Sequence, residues 1–257
     1  MAMTASHSGP QELSETSVYV YGVTWADGAA VPKSAGRDVV VVEQSELAAI
    51  VSPAPNGPVR TRRRELMRHL DVLQAVFTSK TVLPVQFGSV FPGRAAVADE
   101  LLSERYEELV ELLHQFDGLA ELRIRAAYRE ERILAEIVEG DRNVARLREL
   151  TRAAGRGADP LRVQLGEAVA RCLTARRARD AKAISGVLLG CARDAVVEEP
   201  RTEYELMRAS YLVERRKIAA FDARMDELAR NERDRIDFAY TGPLPPHSFV
   251  SLTPRRT

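Results

Sequence analysis

Four histidines, two cysteines and several runs of carboxylates are the side chains here that could do chemistry, and their spacing limits what that chemistry is. His7, His69, His114 and His247 stand far apart in sequence. His69 lies two residues from Asp71, which fits a structural hydrogen bond at least as well as a general base. Cys172 and Cys191 sit in apolar surroundings, make neither a disulfide framework nor a zinc site, and read as reduced, buried thiols. Asp99, Glu100, Glu104, Glu107, Glu108 and Glu111 put carboxylates along one stretch of helical period. With only His114 nearby, a solvated face is expected rather than a metal site. The chain carries no G-x-x-x-x-G-K-[ST], G-x-G-x-x-G, G-x-S-x-G or H-E-x-x-H pattern. No catalytic residue, metal or cofactor is therefore assigned, and the protein is expected not to be an enzyme.

Charge adds a second constraint. The chain has 37 basic and 37 acidic residues in 257, so no net field argues for nucleic acid or an anionic membrane as partner, and self-association stays open. Aromatics are 6% of the chain and do not alternate with basic residues as on an RNA-binding sheet. Residues 1–16 lack a signal-peptide pattern and read as a disordered tail. No uncharged apolar run approaches the ~18 residues of a membrane helix. A soluble, cytoplasmic protein is expected. One cluster breaks the charge balance locally: Arg60, Arg62, Arg63 and Arg64 precede a helical pattern, as a solvated face or as a contact for an acidic partner.

The elements that position these residues fall into two halves. Strands are expected at 18–24, at the valine run 39–42 and at 47–51. A helix over 60–78 follows, with Leu66, Leu70, Leu73 and Phe77 as its buried stripe. Next comes Thr81-Val82-Leu83-Pro84-Val85-Gln86-Phe87-Gly88-Ser89-Val90-Phe91. Pro84 cannot donate in a ladder, which marks an edge strand or strand start, and Gly88 allows a bulge or bend. A helix over 95–116 closes this half. The second half opens with period two, Leu122, Ile124, Ala126 and Tyr128 against Arg123, Arg125 and Arg129. Helical patterns over 130–152 and from 161 towards 189, strands near 195–199 and 207–213, a helix over 214–230 and a strand over 236–240 complete it. The order β-α-β-β-α-β is the ferredoxin-like one. The fold class is α+β in two domains, 17–117 and 118–241, followed by a proline-bearing tail, 242–257.

Three stretches resemble one known family. The run 81–91 is similar to the "TVLP-x-x-FG-x-x-F" signature of the gas vesicle protein F/L family. The opening Val18-Tyr19-Val20-Tyr21-Gly22-Val23 agrees with it, as does the closing Tyr240-Thr241-Gly242-Pro243-Leu244-Pro245-Pro246-His247-Ser248-Phe249-Val250. The closing motif departs from the family pattern at Leu244 and His247, where tryptophan and tyrosine are common.

The resemblance implies a non-enzymatic accessory protein of the gas vesicle. Its members look like proteins that bind the small hydrophobic shell protein, prevent its aggregation, assist nucleation and assembly, and meet other accessory proteins. Within it, Pro84, Gly88, Tyr240, Gly242, Pro243, Pro245, Pro246 and Phe249 are expected to be structural. The candidate shell-protein interface is Arg60, Arg62, Arg63 and Arg64 with Val82, Leu83, Val85 and Phe87. The prolines after Gly242 either lie back across the protein, anchored by Phe249, or recognise a partner. The alternative class is a small-molecule-binding regulatory module on paired ferredoxin-like domains.

Overall fold

The computed structural model describes residues 17–28, 31–55, 62–155 and 159–253. The expected tail 1–16 and Arg60 lie outside them. The chain divides into two compact units, residues 1–115 with 251–257, and residues 116–250.

The first unit is built on β1 (Val18–Trp25), β2 (Val40–Gln44) and β3 (Leu47–Pro53), then α1 (Arg63–Phe77), β4 (Leu83–Pro84) and β5 (Val90–Phe91). α2 (Arg94–Ala96), a π-helical segment (Val97–Ser103) and α3 (Tyr106–Gln115) close it. Its antiparallel sheet runs β2-β3-β1-β4, with β5 also on β1. β1 is central and buried from Val18 through Thr24, which explains its near-continuous apolar sequence. The stretch 81–91 supplies two short edge strands, β4 and β5, joined by a turn. Gly88 adopts φ +92° in that turn, a conformation that costs a residue with a Cβ and is free for glycine.

Two helices differ from the sequence expectation. In α1 the buried residues are His69, Val72, Leu73, Val76 and Phe77, while Leu66 is 37% exposed. The inward stripe is a true i, i+3, i+4, i+7 set whose first member is a histidine, so an apolar count aligned the helix on the leucines instead. The expected single helix over 95–116 is interrupted by the π-helical segment, with Glu104 N–H donating to Asp99 O at 3.0 Å. The wider turn brings Val97, Leu101 and Leu102 to the core together; α-helical spacing would carry Leu102 well around from Val97.

The second unit comprises β6 (Leu119–Tyr128), α4 (Glu130–Gly140), α5 (Arg142–Ala154), α6 (Asp159–Leu189), β7 (Asp194–Glu198), β8 (Glu205–Glu214), α7 (Ile218–Asn231) and β9 (Ile236–Leu244). The sheet order is β7-β8-β6-β9, all antiparallel, the order of a split β-α-β arrangement whose first crossover holds three helices. Asp141 separates α4 from α5 by accepting the Asn143 and Val144 N–H groups, an N-cap that starts a new helix. Leu122, Ile124, Ala126 and Tyr128 enter the core with Ile133, Ile137, Leu188, Tyr211 and Phe221. β9 runs to Leu244, past the strand end expected at 240, because it lies on the sheet edge, where Pro243 removes no ladder bond.

Candidate functional site

A groove of 250 Å³ opens on the first unit between the start of α1 and the ends of β1 and β3. Tyr19 and Tyr21 from β1, Phe87 from the turn before β5, and Pro53 and Pro55 form its apolar walls. Ser52, Arg64, Glu65 and Arg68 supply its polar groups. The walls are fixed from behind. Tyr19 and Tyr21 pack edge-on at 4.8 Å between ring centres, and His69 sits 5.6 Å from Phe87. Tyr19 Oη lies 2.8 Å from His69 Nδ1 and accepts from the Gly88 N–H at 3.1 Å, while Tyr21 Oη meets Ser52 Oγ at 3.0 Å. Burial pushes the Tyr19 phenol up to about 12, so it remains a neutral donor and acceptor. His69 is thus a structural partner of a phenol.

The rim is basic. Arg68 pairs with Asp38 at 2.5 Å, and that bond holds the Asp38 carboxyl below its usual range. Arg62, Arg63 and Arg64 are exposed and make no ion pair among the described residues. Glu65 Oε2 is shut off from solvent and has no hydrogen-bond partner among them.

The residues expected at a partner interface separate into two groups. Val82, Leu83 and Val85 are core residues with 2% exposure or less and offer no surface. Expecting them at an interface fails because an apolar run reads alike whether it is buried inside one chain or between two. Phe87 and Arg64, in contrast, meet in the groove, with Arg62 and Arg63 beside them on the chain entering α1. Tyr19 and Tyr21, read from sequence only as strand residues, are the larger part of the site. Two tyrosines at i and i+2 were the available signal, since alternate strand residues share a side.

The closing motif is held within the second unit. Pro245 and Pro246 are buried, and Ser248 donates both N–H and Oγ–H to Glu121, at 2.7 and 2.8 Å. Glu121 is fully buried and also accepts from Ser210 Oγ and Arg123 Nε. Gly242 adopts φ +150°, and a Cβ there would lie 2.6 Å from Leu122 Cδ2 and 2.9 Å from Glu121 O. Tyr240 Oη donates to Asp222, its ring stacked on Phe221. Phe249 is half-buried. Elsewhere in this unit Arg235 bridges Asp180, Glu136 and Glu232, with Tyr128 Oη donating to Asp180. That network joins helices to the sheet edge, and every charge in it is paired.

Among the described residues no three His, Cys, Asp or Glu side chains converge on a metal site, and no helix is long and apolar enough to cross a membrane. The family described as "Gas vesicle synthesis protein GvpL/GvpF" matches residues 17–251. Gas vesicle protein F of Streptomyces sp. (strain CB03234) is 35% identical over 240 residues, covering 91% of this chain and 99% of that protein. Gas vesicle protein L of Haloferax mediterranei is 23% identical over 197 residues, covering 72% of this chain and 61% of that one. The crystal structure of GvpF from Anabaena sp. PCC7120 shares the fold, with a TM-score of 0.77 at 20% identity over 92% of this chain and 98% of its own. The chain belongs to the GvpL/GvpF family of gas vesicle synthesis proteins, which supports an accessory role in the gas vesicle and is not a known enzyme family.

Proposed function

We propose that this protein binds the small hydrophobic shell protein of the gas vesicle, keeps it from aggregating, and assists nucleation and assembly of the shell alongside other accessory proteins. It acts in the cytoplasm and at the forming vesicle. A subunit with an apolar face towards gas is an aggregation hazard until it assembles, and a partner that covers part of that face removes the hazard. The observation that carries the reading is the aromatic groove with its basic rim at Arg62–Arg64, seated beside the stretch 81–91. Strand addition beside β4 is disfavoured, because that edge of the first sheet is occupied. Leu252 lies alongside it, its carbonyl accepting from the Gln86 N–H at 2.9 Å. The groove itself, at 250 Å³, is smaller than the ~300–1,000 Å³ usual for small-molecule sites.

Co-expression with the small shell protein, co-purification, and turbidity of the shell protein alone and in complex test the reading. A soluble complex with lowered turbidity is the expected result. Aggregation of the shell protein at an unchanged rate, with no complex, overturns it.

A further inference from the structure

We propose that the groove takes one apolar side chain from a segment of the partner and reads a carboxylate next to it. The proposal rests on the shell-protein reading and narrows it to a chemical class of ligand. Two features of the groove argue for it. First, Tyr19, Tyr21, Phe87 and the flanking prolines leave an apolar slot too small for a helix and large enough for a side chain or two. Second, the cations at its mouth are unequal. Arg68 is committed to Asp38 at 2.5 Å, whereas Arg64 lines the groove with no partner among the described residues. Arg64 therefore accounts for selection of an acidic neighbour, through a charge-assisted pair with a carboxylate.

An extended segment that places an apolar side chain in the slot sets a neighbouring carboxylate against Arg64. A simple anion would pair with Arg64 and leave the slot empty, and an uncharged aliphatic chain would fill the slot and leave Arg64 unpaired.

The test uses the full chain and short overlapping peptides that span the small shell protein, with binding followed by the amide resonances of Phe87 and Gly88. Binding is expected only for peptides in which an apolar residue adjoins Asp or Glu. Replacing that carboxylate with its amide, or changing Arg64→Glu in the protein, is expected to weaken binding about ten-fold. A lysine in place of the peptide carboxylate should restore binding to the Arg64→Glu protein, a rescue that a misfolded variant would not show. Peptides that bind regardless of the carboxylate, or binding indifferent to Arg64→Glu, overturn the proposal. If the whole shell protein co-purifies equally with the wild type and with the Arg64→Glu variant, the groove is wrong and shell binding stands elsewhere. If it fails to co-purify with the wild type, the shell-protein reading itself falls.

Discussion

At the residue scale, the side chains that matter most for packing are polar ones whose partners lie far away in sequence. Glu121 belongs by period to the outward face of β6, with Arg123 and Arg125, yet it is fully buried because Pro246–Ser248 lies over it. No local pattern announces this; the information is in residues more than a hundred positions away. His247 lies on the same cover. Burial lowers its pKa to about 4 from 6.5, with Arg123 adding to the shift and Glu121 opposing it. The unfolded chain takes up a proton near 6.5 and the folded chain does not, so His247 stability is complete above about 6.5 and drains away as pH falls towards 4. The thermal midpoint should therefore drop between pH 7 and pH 5, above the range where the paired carboxylates titrate. His247→Gln should flatten that slope. Parallel profiles for the two proteins would show that His247 does not govern it.

At the scale of elements, three sheet edges carry different devices against unwanted pairing. β9 carries Gly242-Pro243 near its end. β7 carries Asp194 and Glu198 at its two ends, so antiparallel pairing with another β7 would set acid against acid. β4 is covered by the chain end, through a parallel bridge between Val85 and Leu252. Pro84 and Gly88 made the edge character of the stretch 81–91 legible in sequence. The cover was not legible, because Leu252 is a single leucine in a polar end. Leu252 is 1% exposed, and Leu252→Ala should cost about 2–4 kcal/mol in denaturant unfolding. The same change at the exposed neighbour, Ser251→Ala, should cost under about 0.5 kcal/mol. Equal midpoints for the two variants would mean that the edge is held without its cover. The helices repeat the lesson: the apolar count found α1 and the 95–116 region, but the rotation of α1 and the π-helical break depend on what each helix meets across the core.

At the scale of the whole molecule, the family was legible because its three motifs bracket the chain, while the site was only half legible because burial cannot be read from a short apolar run. Charge illustrates the difference. A formal net charge of zero gives no general attraction to any partner, so steering must come from local asymmetry. The first unit has that asymmetry. Arg62, Arg63 and Arg64 cluster at the start of α1, while Asp99, Glu100, Glu104, Glu107, Glu108 and Glu111 are exposed on the segment from Val97 through α3. If the basic cluster guides the shell protein to the groove, Arg62 and Arg63 act through the approach and Arg64 through the bound state. Rim charges of this kind change association rates and salt dependence more than they change stability. The double variant Arg62→Glu, Arg63→Glu should therefore slow association with the shell protein about ten-fold at low ionic strength. The two rates should converge near ~1 M salt, where the Debye length shrinks to about 3 Å. Dissociation should change little, and unfolding midpoints should agree within about 0.5 kcal/mol, since neither arginine has a partner to lose among the described residues. Stopped-flow association across a salt series separates the cases. A deficit that persists at high salt assigns Arg62 and Arg63 to the bound contact, and no deficit at any salt removes the basic rim from the path by which the shell protein arrives.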